Sequence, residues 1–354
     1  MKKEGIGQLR LDIVSRFRSE IYGAAAAWIV LFHFTVIWHL PDLLPIPLPV
    51  AVVKFLALGN VGVDIFLFLS GISLYFSLEK GSTYGGFIAK RLRRLVPSVW
   101  LVVGPLWFIT LMLRTFRPGA FLARMSLLDF WVEGNKGGFW YVSFIIILYL
   151  VYPAIHRYLF HSEGRTLKRC MVLCILPMVV SYLLWKFVPS YFAIVEIGLQ
   201  RLPIFFVGCS LGRAVFEGRA IPRWNWAIAF GAASLFFWGV AGGISCPQWC
   251  SRFLYVFGGI GMSYCFALLF FGLSKAAPSI NRLLAFVGSF SLELYVSHMA
   301  VAGYFSVASL PIDGHLKRSL LSLALSFVVA WAVSRLTGRI RGTSTNEKKA
   351  MARD

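Results

Sequence analysis

The stretch AAAAWIVLFHF, Ala24–Phe34, is apolar at every position but His33. Extended to residues 22–40 it would be a helix roughly 28 Å long, about the thickness of the hydrocarbon layer. Backbone in hydrocarbon must satisfy its own hydrogen bonds, and a single apolar segment does that only as a helix. The rest of the chain has the same character. Of its 354 residues 58% are hydrophobic and 14% are charged, against about 25% charged in soluble domains. Its mean hydropathy is +0.73. A water-surrounded core cannot absorb so much apolar sequence, so the expected fold is all-α, a polytopic membrane helix bundle.

Ten apolar runs are long enough to span: 22–40, 51–78, 95–113, 139–156, 170–188, 191–215, 225–243, 252–273, 283–304 and 319–337. The net charge of +20 collects in short connections, around Lys90–Arg94, Arg157–Arg169, Arg213–Arg223 and Lys275–Arg282. By the excess of cations on cytoplasmic loops, these share a side with both termini. Arg114, Arg117, Arg124, Lys317 and Arg318 break the trend, and the connection holding LLDFWVEGNKGG reads as re-entrant or interfacial. Cations dispersed in this way set topology rather than bind nucleic acid. Residues 1–21 form a basic cytoplasmic lead-in, 22–337 one membrane domain, and 338–354 a polar disordered tail. Cys170, Cys174, Cys209 and Cys265 lie in apolar sequence as packing residues. Cys246 and Cys250 flank a short loop that could be free or disulfide-bonded, and no metal site is indicated.

Ionisable groups inside spans cost about 2.5–3.5 kcal/mol each on insertion scales, so each asks for a reason. His33 lies near the midplane, where it serves either a helix–helix hydrogen bond or chemistry. Asp64, in GNVGVDIFLFLSG, falls at a similar depth on the next helix. There it either orients an imidazole or caps backbone at a glycine-rich irregularity. Lys90, Arg91 and Arg94 lie three and four residues apart on one helical face, suited to phosphate or to membrane anchoring. Arg201 stands beside Pro203 with Glu196 near, while Glu293, a candidate partner for an arginine, and His298 share the ninth span.

In order along the chain, these segments resemble the acyltransferase-3 family of membrane O-acyltransferases that modify bacterial surface glycans. SEIYGAAAAWIVLFH is similar to its first span through Gly23 and His33, and GVDIFLFLSG to its second. FIAKRLRRLVPSVW matches its third through Phe87, Arg91, Arg94, Pro97 and Trp100, with Lys90 at a family arginine. FWYVSFIIILYLVYP, RLPIFFVGCSLG and GSFSLELYVSH resemble three later motifs. The first span departs from the pattern: Tyr22 and Ser19 stand where the family has arginine and aspartate. Arg16, Arg18 and Glu20 offer charges nearby.

The resemblance implies transfer of an acetyl or other short acyl group from cytoplasmic acetyl-CoA to a carbohydrate hydroxyl, surface-borne or lipid-linked. His33 would be base or acyl carrier and Asp64 its orienting partner. Lys90, Arg91, Arg94, Arg201, Tyr141 and His298 would bind substrate or donor. It also implies the bacterial cytoplasmic membrane, acyl-CoA as co-substrate with no resident cofactor, and room for self-association or glycan-assembly partners. A transporter or flippase for a lipid-linked sugar would use similar buried charges, yet the chain lacks the paired broken-helix repeats common in transporters.

Overall fold

The computed structural model describes residues 10–81, 83–113, 118–134, 139–220, 231–233, 236, 246–307 and 315–351. After a short turn at Ile13–Arg16 the chain forms α1 (Arg18–Val36), α2 (Val50–Ala57), α3 (Val61–Glu79) and α4 (Tyr84–Leu113). There follow α5 (Trp140–Phe160), α6 (Thr166–Phe187), α7 (Pro189–Leu199), α8 (Leu202–Phe216) and α9 (Tyr255–Ala276). Last come α10 (Pro278–Ser289), α11 (Ser291–Val307) and α12 (His315–Met351). No strand occurs among the described residues.

Among the described residues eight segments are long and apolar enough to cross a membrane, with α7 and α8 acting together as one of them. A ninth is the pair α10 and α11, bent by 69°. The protein is therefore a multi-pass helical bundle. The run at 225–243 lies almost wholly outside the described residues, as do Arg114 and Arg117. The expected single helix over 51–78 is instead two pieces, α2 and α3, parted at residues 58–60.

Which face of each helix is covered tells where lipid lies. On α6 only Cys170, Pro177 and Ser181 are buried. Leu167, Met171, Val172, Ile175, Leu176 and Leu183 stand exposed, a surface that hydrocarbon covers and water would not tolerate. By contrast α3 is buried from Val61 through Ile72, so it forms the centre of the bundle. Glycine allows the close approach of α3 to α8. A Cβ on Gly208 would overlap the Phe68 carbonyl oxygen, and one on Gly71 would come 2.6 Å from that of Phe205. The same device joins α1 to α10, where Gly23 and Gly288 face Leu284 and Ser19 backbone.

The long connection between α4 and α5 folds back as two short helices, Pro118–Met125 and Phe130–Glu133. Trp100 Nε1 donates to the Met125 carbonyl at 2.9 Å, and Phe130 is buried. Cys246 and Cys250 are free thiols. The last helix runs on beyond Leu336 to Met351.

The breaks between elements matter for function. They fall at 58–60, at Gln200–Arg201 and at Phe290. Asp64 sits in the first turn of α3, Arg201 immediately before α8, and His298 two turns into α11. Interrupted helices at membrane depth expose polar backbone, which is tolerated where protein surrounds it or where it lines a cavity.

Candidate active site

Two cavities enter the bundle from opposite ends, called inner and outer after the sides that the distribution of cations leads one to expect. The inner one, about 370 Å³, is lined by Arg18 from α1, Lys80 from the end of α3, and Lys90, Arg91 and Arg94 from α4. Ser70, Ser73, Ser77, Tyr141, Tyr149 and Ser291 supply hydroxyls, and no carboxylate is among the described residues that line it. The spacing that put Lys90, Arg91 and Arg94 on one helical face therefore aims all three at one space. Arg91 also lies over the Phe87 ring, 4.1 Å from its centroid, which holds the guanidinium against the helix. Arg18 packs over Tyr22 at 5.3 Å, one turn below the position where a cation was expected. The charge missing at Tyr22 is thus supplied from the previous turn of the same helix face.

The outer cavity, about 620 Å³, is lined by His33, Asn60, Arg201, Arg252, Tyr295 and the rings of Phe32, Trp38, Phe139 and Trp140. His33 and His298, 265 residues apart, meet here. His33 Nδ1 lies 2.9 Å from the Ile29 carbonyl oxygen and 3.2 Å from His298 Nε2. His298 Nδ1 lies 3.1 Å from the Leu294 carbonyl oxygen. A carbonyl oxygen can only accept, so each Nδ1 carries the proton. His298 Nε2 then presents its lone pair to the shared Nδ1–H of His33. By elimination the unprotonated nitrogen of His33 is Nε2, on a side chain that lines the cavity. In this arrangement the tautomer of the neutral His33 ring is fixed from behind.

Asp64 is not its orienting partner. The carboxylate accepts a hydrogen bond from Arg201 Nε at 3.1 Å, and the two side chains are 0% and 2% exposed. The reason lies in the break before α8, which brings Arg201 into the bundle centre, where an unpaired guanidinium would be prohibitive. Arg201 Nη1 also donates to the Ile197 carbonyl, at 3.0 Å, and its guanidinium lies 5.4 Å from the ring centroids of both Trp140 and Tyr255. Glu196 pairs not with Arg201 but with Arg252, at 3.3 Å. Both guanidiniums line the outer cavity and both counter-carboxylates stand behind them. Glu293 accepts a hydrogen bond from Ser98 at 2.7 Å, buried between α4 and α11. His39 is exposed at the outer end, beside Asp42 at 3.6 Å.

Every expected site residue lines a cavity or, like Asp64 on Arg201 and His298 on His33, touches one that does. Sequence reasoning overlooked Lys80, Arg252, Trp140 and Tyr295. Tyr295 could have been found three residues before His298, on the same helix face. For Lys80 and Arg252 the sequence offers no signal, since each resembles an ordinary charge at a span end.

Comparison with known proteins identifies the family of the chain. A family model described as an acyltransferase domain, acyltransferase-3, matches residues 23–335, nearly the whole chain. No curated protein and no solved structure matches.

Proposed function

The chain belongs to the acyltransferase-3 family over residues 23–335 and is a membrane acyltransferase, and on that premise we propose that it carries a short acyl group, acetyl first, from cytoplasmic acyl-CoA to a carbohydrate hydroxyl. The acceptor is a surface or lipid-linked glycan reached through the outer cavity, and the membrane is the bacterial cytoplasmic membrane. The observation that carries the reading is the fixed tautomer of His33 on the wall of the outer cavity, with a cavity whose described charged residues are all cations entering from the other end.

In this reading the CoA phosphates lie among Arg18, Lys80, Lys90, Arg91 and Arg94, whose guanidiniums can bind phosphate oxygens in pairs. An acceptor sugar lies against the Trp38 and Trp140 rings of the outer cavity. As the acceptor oxygen forms its bond to the thioester carbonyl carbon, His33 Nε2 takes the hydroxyl proton. The C–S bond then breaks, and the CoA thiolate leaves to be protonated. The imidazolium that forms strengthens both bonds from its Nδ1–H, to Ile29 O and to His298 Nε2, without any carboxylate in contact. Asp64 acts at one remove by holding Arg201 at the acceptor's cavity.

The test is His33→Ala in full-length protein, assayed for acetyl transfer from radiolabelled acetyl-CoA into the glycan fraction of membranes from the expression host. General-base catalysis contributes typically about 100- to 10,000-fold, and a loss in that range is expected at unchanged expression. Activity above about a tenth of wild type would remove His33 from the chemistry.

A further inference from the structure

The two cavities share no lining residue. Tyr141 lines the inner one, Tyr295 lines the outer one, and their ring centroids are 5.3 Å apart with the planes at 66°. Both residues are almost fully buried, at 6% and 3% exposure. The ring contacts continue in both directions. On the inner side Phe66 lies 6.1 Å from Tyr141 and 5.3 Å from Tyr22. On the outer side Tyr295 lies 5.9 Å from His298, which lies 4.8 Å from His33.

A thioester held among the inner cations is therefore separated from His33 by this one aromatic layer. We propose that the Tyr141–Tyr295 pair selects the acyl group by size. A two-carbon acyl group fits against the closed end of the inner cavity and passes with a small rotation of the rings. Each further methylene has to displace a buried tyrosine whose neighbours are themselves close-packed rings. The layer takes no part in bond making: the C–S bond still breaks and the C–O bond still forms as above. This inference rests on acyl-CoA being the donor.

The experiment measures binding of CoA and of S-ethyl-, S-propyl- and S-butyl-CoA thioethers to the full-length protein in nanodiscs. In wild type, affinity should fall from the ethyl to the butyl derivative by at least about tenfold per methylene, the discrimination a closed apolar pocket gives. Tyr141→Ala should remove most of that step, and Tyr141→Phe should keep it, because ring size rather than the hydroxyl is at work. Tyr295→Leu repeats the test from the other side of the layer, should Tyr141→Ala not elute as a folded protein. A flat wild-type series overturns the size selection, as does a step that survives in folded Tyr141→Ala or Tyr295→Leu. Failure of CoA itself to bind wild type overturns the donor reading and the size selection with it, whereas CoA binding with a flat series overturns only the latter.

Discussion

Asp64→Asn separates scaffold from chemistry. Asp64 and Arg201 are 0% and 2% exposed and 3.1 Å apart, so the amide keeps size and one acceptor oxygen for Arg201 Nε but removes the compensating charge. Breaking a buried pair by removing one partner costs about 3–5 kcal/mol, because the other charge stays buried. That is roughly two to three and a half decades in the folding equilibrium. Replacing both partners by neutral groups of similar volume is often neutral or stabilising. Asp64→Asn combined with Arg201→Met should therefore recover most of the loss. A double-mutant cycle on chemically denatured protein in detergent measures this coupling, and acetyl transfer per folded molecule is followed in parallel. Asp64→Asn alone should turn over slowly only in proportion to how far Arg201 shifts. A single variant within about 1 kcal/mol of wild type, or a double variant whose damage is the sum of the singles, would refute the buried-pair account.

Other expectations follow from single contacts. His298→Ala removes the acceptor behind His33 and should lower kcat roughly 10- to 100-fold with little change in KM for acetyl-CoA. His298→Gln, whose side-chain oxygen can also accept, should recover part of the loss, and a structural role would show no such split. Arg91→Ala and Arg94→Ala should raise the KM for acetyl-CoA, with a smaller penalty at high salt because screening already weakens these contacts in wild type; unchanged affinity in both would leave them as topological anchors. Gly23→Ala places a methyl group against the Leu284 carbonyl oxygen on the contact of α1 with α10. It should destabilise by about 1–3 kcal/mol in thermal or denaturant unfolding, as overpacking does, and wild-type stability would mean that α10 can slide away.

Sequence by itself determined the class of fold and the residues worth watching. Hydropathy is a local property, so the spans, their order and the odd polar groups within them are legible one window at a time. The same holds for the cationic face at Lys90, Arg91 and Arg94, because helical spacing alone puts those side chains together. What sequence could not decide was partnership. Depth alone points Asp64 toward His33, because the two sit at a similar level on neighbouring helices. Yet its partner is Arg201, 137 residues on, brought inward by a break that a hydropathy window averages away. His33 in turn leans on His298, 265 residues on, and no spacing rule reaches that far. Position within a bilayer fixes one coordinate of a side chain, its depth. The other two, which helix it faces and at what angle, depend on close contacts such as Gly23 with Leu284 and Gly208 with Phe68. Those arise only when the whole bundle packs.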